Sequence, residues 1–285
     1  MLSRDGTGQC IRIRAQATDF ATFSNSARFS AAMHWFQHAD PSVKSITVNG
    51  SDGDLASTAH YAYCSNSPDV VPLPDPHFFR AGGYAETDKF AATQAQDWGD
   101  RSDEIIWRGR VNNPGLYSLD PALQDNPGVK QRLRMAQKCK ALGVNFRFVD
   151  GVGEVVHGPL ASAGLIGEYI PTHDWGGMKY AIDIDGYTNA WCNFLQRLKL
   201  GCCVLKVDSQ FGFRQWYYHK LTAWEHYVPI SADMSDLAAN VDWVKSNPDK
   251  ARAIAAAGQD VARAMTFETE TRVAADIINT TEGAI

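Results

Sequence analysis

One segment of the sequence, which runs from Lys179 to Asp236, constrains the fold more than any other. It contains an apolar run at 180–184, an Asp-Gly turn, an amphipathic stretch at about 189–199 and a second apolar run at 202–207. A strand, a helix and a second strand in this order form a βαβ-like unit. Because ligands of open α/β sheets bind at the carboxyl ends of the strands, the segment predicts both a fold class and the place of a functional site.

The remainder of the chain continues this alternation. Alternating apolar runs predict further strands at 43–49, 104–110 and 144–150. Helical spacing predicts helices at 25–40, 85–99, 127–141, 234–246, 248–265 and 268–280. The glycine-rich stretch at 151–175 is predicted to be an irregular surface loop. We therefore expect an α/β protein with parallel sheets.

A polar stretch at 98–103 predicts a linker between two such units. We expect two Rossmann-like domains that face a cleft, the first over 1–99 and the second over 100–267. That arrangement would gather the polar strand ends of both units around one space.

Composition and charge exclude several classes of protein. The chain has 285 residues and a net charge of −5, without the basic footprint that nucleic-acid-binding proteins usually show. Its six cysteines have no zinc-site spacing, so no metal site is expected. The first residues lack the apolar core of a signal peptide, and no apolar run approaches the roughly 18–20 residues that cross a bilayer. We expect a cytoplasmic protein, for which peripheral contact with the inner face of the membrane stays open.

Several catalytic and nucleotide-binding motifs are missing from the sequence. It contains neither G-x-G-x-x-G nor a P-loop, so dinucleotide binding and P-loop ATP binding are not supported. It contains no G-x-S-x-G elbow and no H-E-x-x-H, which argues against a serine hydrolase and a zinc protease.

Arg108, Gly109 and Arg110 form a turn that suits an anion. A guanidinium beside a glycine lets side-chain and backbone N–H groups meet one phosphate, because the planar group donates two parallel hydrogen bonds. Pairing with surface carboxylates is the alternative reading of these arginines.

Two further strand ends carry polar residues. Asp185 and Gly186 begin a turn before a helix, where free N–H groups can bind phosphate. Lys206 ends the next apolar run, where its ammonium would neutralise a diphosphate. The alternatives are a simple Asp-Gly turn with Asn189 as helix cap, and a solvated lysine.

Asp52 and Asp54 lie in a Ser-Asp-Gly-Asp turn after the strand at 43–49. A carboxylate in a cleft can take a proton from an acceptor hydroxyl, so either residue is a candidate general base. Turn formation is the alternative. Hard metal ions require more oxygen ligands than this segment supplies.

The order of several motifs resembles glycosyltransferase family 90, which contains capsule-associated xylosyltransferases and protein O-glucosyltransferases. The motifs are WRGR, KYAIDIDG, NAWCNFLQRLKLGCCVLKV, QWYY, WEHYVPISADMSDL and VDWVKSNPDKARAIAAAGQDVARAM. The resemblance covers roughly residues 44–265 and is closest to bacterial members found with lipopolysaccharide or capsule genes.

The resemblance implies a glycosyltransferase fold of the GT-B type and inverting transfer of a sugar without a required metal or other cofactor. The donor would be UDP-glucose or UDP-xylose, and the acceptor a hydroxyl of a glycan or lipid-linked saccharide in surface polysaccharide synthesis. It also implies that the last helix, within 268–285, packs back on the first domain. A non-catalytic sugar-nucleotide-binding or glycan-binding protein on the same scaffold is the alternative.

The resemblance also assigns roles to individual residues. On the acceptor side it implies Asp52 as the catalytic base, with Asp54 as the alternative, and a lining loop that includes Asp75, His77 and Phe78. On the donor side it implies diphosphate contacts from Arg108 and Gly109. The predicted donor site also includes the other polar and aromatic residues near the strand ends, which are Arg110, Asp185, Gly186, Asn189, Trp191 and Lys206. Relatives can carry an arginine where this chain has Cys192 or Asn193, and Lys206 or Arg197 would supply the charge that is missing there.

Overall fold

The computed structural model of this chain describes residues 1–7, 11–14, 23–53, 55–149 and 154–283. Its contacts divide the chain into two compact units. Unit 1 comprises Met1–Glu86, Phe211–His219 and Ala264–Ile285, and unit 2 comprises Thr87–Gln210 and Lys220–Arg263. The boundary on the chain thus lies at residue 86, compared with the 99 expected from the sequence, and the aromatic segment at 211–219 belongs to unit 1.

The strands are β1 (Leu2–Arg4), β2 (Ile11–Ile13), β3 (Ser45–Ile46), β4 (Val48–Asn49), β5 (Tyr61–Ala62), β6 (Val71–Pro72), β7 (Ser102–Gly109), β8 (Asn145–Phe148), β9 (Met178–Asp183), β10 (Cys203–Val207) and β11 (Val228–Ile230). The helices are α1 (Phe23–His38), α2 (Pro76–Arg80), α3 (Ala85–Thr93), α4 (Gln131–Ala141), α5 (Glu154–Ser162), α6 (Asn193–Lys199), α7 (Leu237–Ser246), α8 (Pro248–Ala264) and α9 (Phe267–Gly283).

Unit 1 contains two short three-stranded sheets. One is antiparallel with the order β2-β1-β3, and the other is parallel with the order β4-β5-β6. The chain passes from one sheet to the other at Thr47, whose carbonyl accepts a hydrogen bond from Tyr61 N at 3.1 Å. The single strand predicted at 43–49 is therefore two strands, because the chain changes partners at its centre.

An aromatic core joins α1, α2 and α9 of unit 1. Trp35 and Phe78 are fully buried, and the Phe78 ring lies 5.3 Å from the ring of Trp216. The backbone of Gly83 lies so close to Phe267 that a Cβ atom there would stand 2.4 Å from Phe267 N. With its φ of +72°, this position requires glycine.

Unit 2 is built on one five-stranded parallel sheet in the order β11-β10-β9-β7-β8. Numbered along the chain within this unit, the strands follow the order 2-1-3-4-5 of doubly wound α/β proteins. Every residue of β10 is buried, as expected for a central strand covered on both faces. The α/β class with parallel sheets that the sequence predicts is confirmed.

Two local predictions differ from the structure. Residues 154–162 form α5, although the glycine-rich composition of 151–175 predicted an irregular loop. The helix predicted at about 189 begins at Asn193, because Trp191 has a φ of +50° and its N–H donates to the side chain of Asn189. A residue in the left-handed region cannot continue an α-helix, so the turn extends four residues further.

None of the helices in the described part of the chain is both long enough and apolar enough to cross a membrane.

Candidate functional site

The carboxyl edge of the sheet in unit 2 contains a topological switch point. β7 and β9 are neighbours, and the chain leaves β7 toward β8 on one side and β9 toward β10 on the other. The connections therefore diverge at Gly109 and Asp183, which end these two strands. Ligands of doubly wound proteins bind in the crevice that opens at such a point.

Arg132, in the first turn of α4, joins the two strand ends at this point. Its Nη1 donates to the carbonyl of Arg110 at 2.8 Å and to the side chain of Asn112, and its Nη2 donates to the carbonyl of Ile184 at 2.9 Å. The guanidinium also lies 5.1 Å from the centre of the Trp107 ring. Burial lowers the pKa of Arg132 to about 10, so the buried side chain is still a cation at neutral pH.

The start of α4 is held by the same loop. With its side-chain oxygen turned toward the helix, Asn113 accepts hydrogen bonds from Gln131 N at 2.7 Å and Arg132 N at 3.2 Å. These are N–H groups that a helix leaves without an intrahelical partner. Asn113 thereby fixes the position of Arg132 relative to the end of β7.

Lys206 forms a buried ionic cluster with two aspartates at the ends of β9 and β10. Its ammonium lies 3.0 Å from Asp183 Oδ2 and 3.3 Å from Asp185 Oδ1. All three side chains are less than a tenth exposed. Burial raises the pKa of Asp185, although the neighbouring lysine opposes the shift. The lysine that the sequence predicts as a diphosphate contact is thus the counter-ion of two carboxylates in this structure.

The turn after β9 is closed by its own hydrogen bonds. Gly186 N donates to the carbonyl of Asn189 at 3.1 Å, and the side-chain oxygen of Asn189 accepts from Trp191 N. A Cβ atom at Gly186 would lie 3.2 Å from Asn112 Oδ1, so a larger residue would press against the β7 loop. Tyr187 is about half exposed at the tip of this turn, with a relative exposure of 52%.

Arg197 is the other cation considered as a replacement for the arginine absent at Cys192 or Asn193. Its guanidinium is buried and lies 3.7 Å from the centre of the Trp175 ring. Burial lowers the pKa of Arg197 to about 10, and Asp183 is among the groups that oppose this shift. The role of either cation in donor binding stays a prediction.

The Arg108 side chain lies against β8 rather than with the cluster around Lys206. Its Nε donates to the carbonyl of Glu168 at 3.0 Å, and its Nη1 donates to Asn145 Oδ1 at 2.9 Å. Gly109 leaves room for a tryptophan, because a Cβ atom there would stand 2.4 Å from the Trp107 ring. Arg132 and Asn112 therefore bring four of the predicted donor-site residues to one edge of the sheet, namely Arg110, Asp185, Gly186 and Asn189. The Arg108 guanidinium does not join them, because it is bonded to Glu168 and Asn145.

Asp52 lies in unit 1, in the turn after β4. One of its carboxylate oxygens pairs with Nη2 of Arg28, whose Nη1 donates to the carbonyl of Gly50 at 2.6 Å. Gly53 has a φ of +94°, and a Cβ atom there would stand 2.3 Å from the carbonyl oxygen of Cys64. The turn therefore requires glycine and holds Asp52 in place, with its side chain 36% exposed. Asp54, the alternative base, lies outside the described residues.

The residues predicted for the acceptor side have structural roles in unit 1. Asp75 caps α2, since its Oδ1 accepts from His77 N at 2.7 Å and Phe78 N at 2.9 Å. Its Oδ2 accepts from Gln215 Nε2 at 3.0 Å. Phe78 is a fully buried core residue, whereas His77 is half-buried. Their contact with an acceptor stays a prediction.

Asp75→Asn is expected to make the free energy of unfolding less sensitive to pH. Burial raises the pKa of Asp75 above its usual 3.8, against the opposing influence of His77 and two N–H groups. The folded protein therefore keeps a proton that the unfolded chain releases, and stability falls as the pH rises through the raised pKa. Asparagine can keep the Oδ1 cap and carries no charge, but its amide group replaces the oxygen that accepts from Gln215. The variant should therefore lose a pH-independent amount of stability from that contact and gain stability relative to wild type as the pH rises from about 4 toward neutrality.

Urea unfolding of both proteins at three pH values in this range measures the effect. Asp276→Asn, an exposed change on α9 of the same unit, is the matched control and should differ from wild type by the same amount at each pH. A pH-independent difference for Asp75→Asn would contradict the expected linkage.

Within the described residues, no three His, Cys, Asp or Glu side chains are grouped closely enough to hold a metal ion.

The strand order defines unit 2 as a doubly wound α/β unit, and proteins of this class bind their ligands at the carboxyl edge of the sheet. Comparison with known proteins gives a family match. Residues 167–269 match the family model described as Glycosyl transferase family 90. The resemblance seen in the motifs is confirmed.

Individual relatives agree with this assignment. The chain is 29% identical over 167 residues to Protein O-glucosyltransferase 2 of Danio rerio, and 30% identical over 172 residues to Protein O-glucosyltransferase 3 of Homo sapiens. Each match covers 58% of this chain and 29% of the relative. An uncharacterized protein, 179R of Invertebrate iridescent virus 6, is 38% identical over 81 residues, which are 27% of this chain and 7% of the viral protein. The chain thus spans less than a third of the length of these relatives.

A solved structure of WaaG, a glycosyltransferase involved in lipopolysaccharide biosynthesis, matches with a TM-score of 0.37 and 13% identity. The match covers 68% of this chain and 51% of the WaaG chain. At this level the likeness carries no weight for the fold, which the parallel sheets themselves establish.

Sequence reasoning missed the residues that hold the site together. Arg132, Asn112 and Asn113 make the contacts that join β7, β9 and α4. A signal was present, because two asparagines follow the Arg-Gly-Arg turn and a basic helix follows them. Spacing alone did not show that this helix begins at the edge of the sheet.

Proposed function

We propose that this chain transfers glucose or xylose from a UDP-sugar to a hydroxyl group of a glycan acceptor. One observation carries the proposal. The family 90 segment at 167–269 includes β9, α6 and β10, which form one wall of the switch point in unit 2. The segment that matches the family and the edge at which doubly wound proteins bind ligands therefore coincide in the same part of the fold.

The diphosphate of the donor would bind at the carboxyl edge of β7 and β9. Arg110 and the turn from Gly186 to Trp191 provide an exposed cation and backbone groups, and Arg132 adds a fixed positive charge behind them. Charge that develops on UDP as it leaves would meet this preorganised field, which stabilises a transition state more than mobile water can. No metal is required for this scheme.

Asp52 would act as the general base. A carboxylate on the opposite side of the sugar from the leaving group can take the proton of the acceptor hydroxyl while the oxygen attacks the anomeric carbon. One direct displacement breaks the bond to UDP, forms the bond to the acceptor and inverts the anomeric centre. We infer a saccharide of lipopolysaccharide, capsule or another surface polysaccharide as acceptor, on the strength of the bacterial character of the motifs.

Ligand binding tests the donor part of the proposal. Isothermal calorimetry with UDP, UDP-glucose and UDP-xylose, each with and without EDTA, should show binding that the chelator does not change. GDP and GDP-mannose are the controls and should bind more weakly. Absence of binding by all three uridine nucleotides would remove the donor assignment.

Asp52→Asn is expected to lower turnover by about 10²–10⁴-fold, the usual contribution of a general base, and to leave UDP affinity unchanged. The measurement is UDP released from UDP-glucose or UDP-xylose. Asp54→Asn is the matched comparison, since it removes the other carboxylate of the same turn. Full activity of Asp52→Asn together with loss of activity in Asp54→Asn would identify Asp54 as the general base.

Binding of UDP-sugars without turnover by the wild-type protein would favour the alternative, a non-catalytic sugar-nucleotide-binding protein.

A further inference from the structure

Arg28, on α1, is the ion-pair partner of Asp52, the residue proposed as the general base. Nη2 of Arg28 pairs with Asp52 Oδ1, and Nη1 donates to the carbonyl of Gly50 at 2.6 Å. Two donors of one rigid, planar guanidinium therefore contact the backbone at the start of the turn and the carboxylate within it. The carboxylate cannot turn away from this position without breaking a charged hydrogen bond.

Both partners of this pair are held by the two residues that follow β5. Tyr63 is fully buried, and its hydroxyl donates to the backbone carbonyl of Arg28. The carbonyl of Cys64 lies so close to Gly53, the residue after Asp52, that a side chain at position 53 would not fit. Consecutive residues of one backbone segment thus fix the helix that carries Arg28 and the turn that carries Asp52. Groups held in this way lose little conformational freedom when a substrate binds.

Only one of the two carboxylate oxygens of Asp52 is used by this pair. Within the described part of the chain, Oδ2 accepts no hydrogen bond. The Asp52 side chain is 36% exposed, whereas the Arg28 side chain is only 15% exposed. Oδ2 is therefore the oxygen that is available to take a proton from a hydroxyl group, which must come within about 2.6–3.2 Å of the base.

We propose that Arg28 is a positioning residue, which holds Asp52 through Oδ1 so that Oδ2 meets the hydroxyl of the acceptor. This role rests on the proposed function, in which Asp52 is the general base. Displacement of a catalytic group by about 1 Å can lower a rate by about 10²-fold, so the orientation of the carboxylate matters as well as its presence. Arginine suits this role better than lysine, because its planar fork reaches the carboxylate and the Gly50 carbonyl at once.

Arg28→Gln is expected to lower kcat by about 10–100-fold, the effect of losing one charged hydrogen bond. The measurement is UDP released from UDP-glucose or UDP-xylose, and KM for the donor should be unchanged because Arg28 acts on the base. In an Asp52→Asn background, Arg28→Gln should lower kcat by less than about twofold, since a residue that acts through the carboxylate has no effect once the carboxylate is gone. Arg28→Lys, the second variant, keeps the charge without the fork and should recover part of kcat.

Arg272→Gln is the matched control. It removes the exposed pair between Arg272 and Glu268 on α9 of the same unit and should keep the wild-type kcat. The positioning role is overturned if Arg28→Gln also keeps the wild-type kcat. It is equally overturned if Arg28→Gln lowers kcat by the same factor with and without Asp52→Asn, because a general loss of structure would act in both backgrounds. If urea unfolding shows that Arg28→Gln does not fold, the same comparison with Arg28→Lys decides.

Failure of the proposed function would give a different pattern. A wild-type protein that releases no UDP, or an Asp52→Asn variant with full activity, would overturn the assignment of Asp52 and with it the role of Arg28. Loss of activity in Asp52→Asn together with full activity in Arg28→Gln and Arg28→Lys would overturn the positioning role alone and leave Asp52 as the base.

Discussion

Lys206→Met is expected to destabilise unit 2 by about 3–5 kcal/mol, the cost of leaving buried charges without their partner. The ammonium of Lys206 is within 3.3 Å of both Asp183 and Asp185, and burial of all three side chains excludes water as a substitute. Methionine has nearly the same length and keeps the apolar stem. The change therefore removes a charge from the cluster and leaves its packing almost intact.

The destabilisation should depend on pH in a defined direction. Without the lysine, the pKa of the buried Asp185 rises further above its ordinary value, so the folded state takes up a proton that the unfolded chain releases. An acid whose folded pKa is raised contributes stability below its unfolded pKa and loses it as pH rises. The deficit of Lys206→Met should thus be larger at about pH 7 than at about pH 5.

Urea unfolding at the two pH values measures this difference. Lys245→Met, an exposed lysine near the end of α7, is the control and should change stability by less than about 0.5 kcal/mol. Adding Asp185→Asn to Lys206→Met should restore part of the loss, because it removes one of the two uncompensated carboxylates. Equal deficits at both pH values, with no rescue, would show that the cluster does not act through its charges.

Arg132→Met is expected to cost about 3 kcal/mol or more in stability, since hydrogen bonds to a charged group contribute about 1.5–3 kcal/mol each. The carbonyls of Arg110 and Ile184 would lose the guanidinium that joins them across the switch point. If the donor binds at this edge, UDP affinity should also fall at least about tenfold, because the loops that form the site are no longer held together.

Arg132→Lys separates charge from geometry. Lysine keeps the positive charge but lacks the planar fork that reaches two strand ends at once, so it should recover only part of the stability. Urea unfolding and UDP calorimetry on both variants give the two readouts, with the exposed Arg252→Met as control. Full recovery of UDP affinity in Arg132→Lys would show that the field of the cation matters and that the joining of the loops does not.

Several elements were predictable because their signals are local. The apolar run at 202–207 and the helix beginning at Pro248 correspond closely to β10 and α8. Apolar residues at strand or helix spacing report which side of an element is buried, and this information lies within a few neighbouring residues. The start of α6 was missed because it depends on a single left-handed residue, Trp191, in a turn closed by Asn189.

The position of the candidate site at the strand ends could be predicted from sequence, but the contacts among its residues could be predicted only in part. Strand ends were identified from sequence, but which cation meets which carboxylate depends on contacts between distant residues. Arg28 pairs with Asp52 from 24 positions away, and Arg132 reaches Ile184 from 52 positions away. Arg108 and Trp107 point to different neighbours because successive side chains of a strand alternate between faces.

The sequence by itself determined the α/β class, the polar strand ends after β7, β9 and β10, and the match of residues 167–269 to the family 90 model. These features follow from hydrophobic periodicity and from the order of the motifs, both of which can be read from the sequence without knowing any tertiary contact. The tertiary structure decided the strand order 2-1-3-4-5, and with it the switch point between β7 and β9. It also decided that Lys206 neutralises two aspartates and that Arg132 joins the strand ends. The physical reason is that buried charges must find partners in three dimensions, and the partners are chosen by which strands become neighbours.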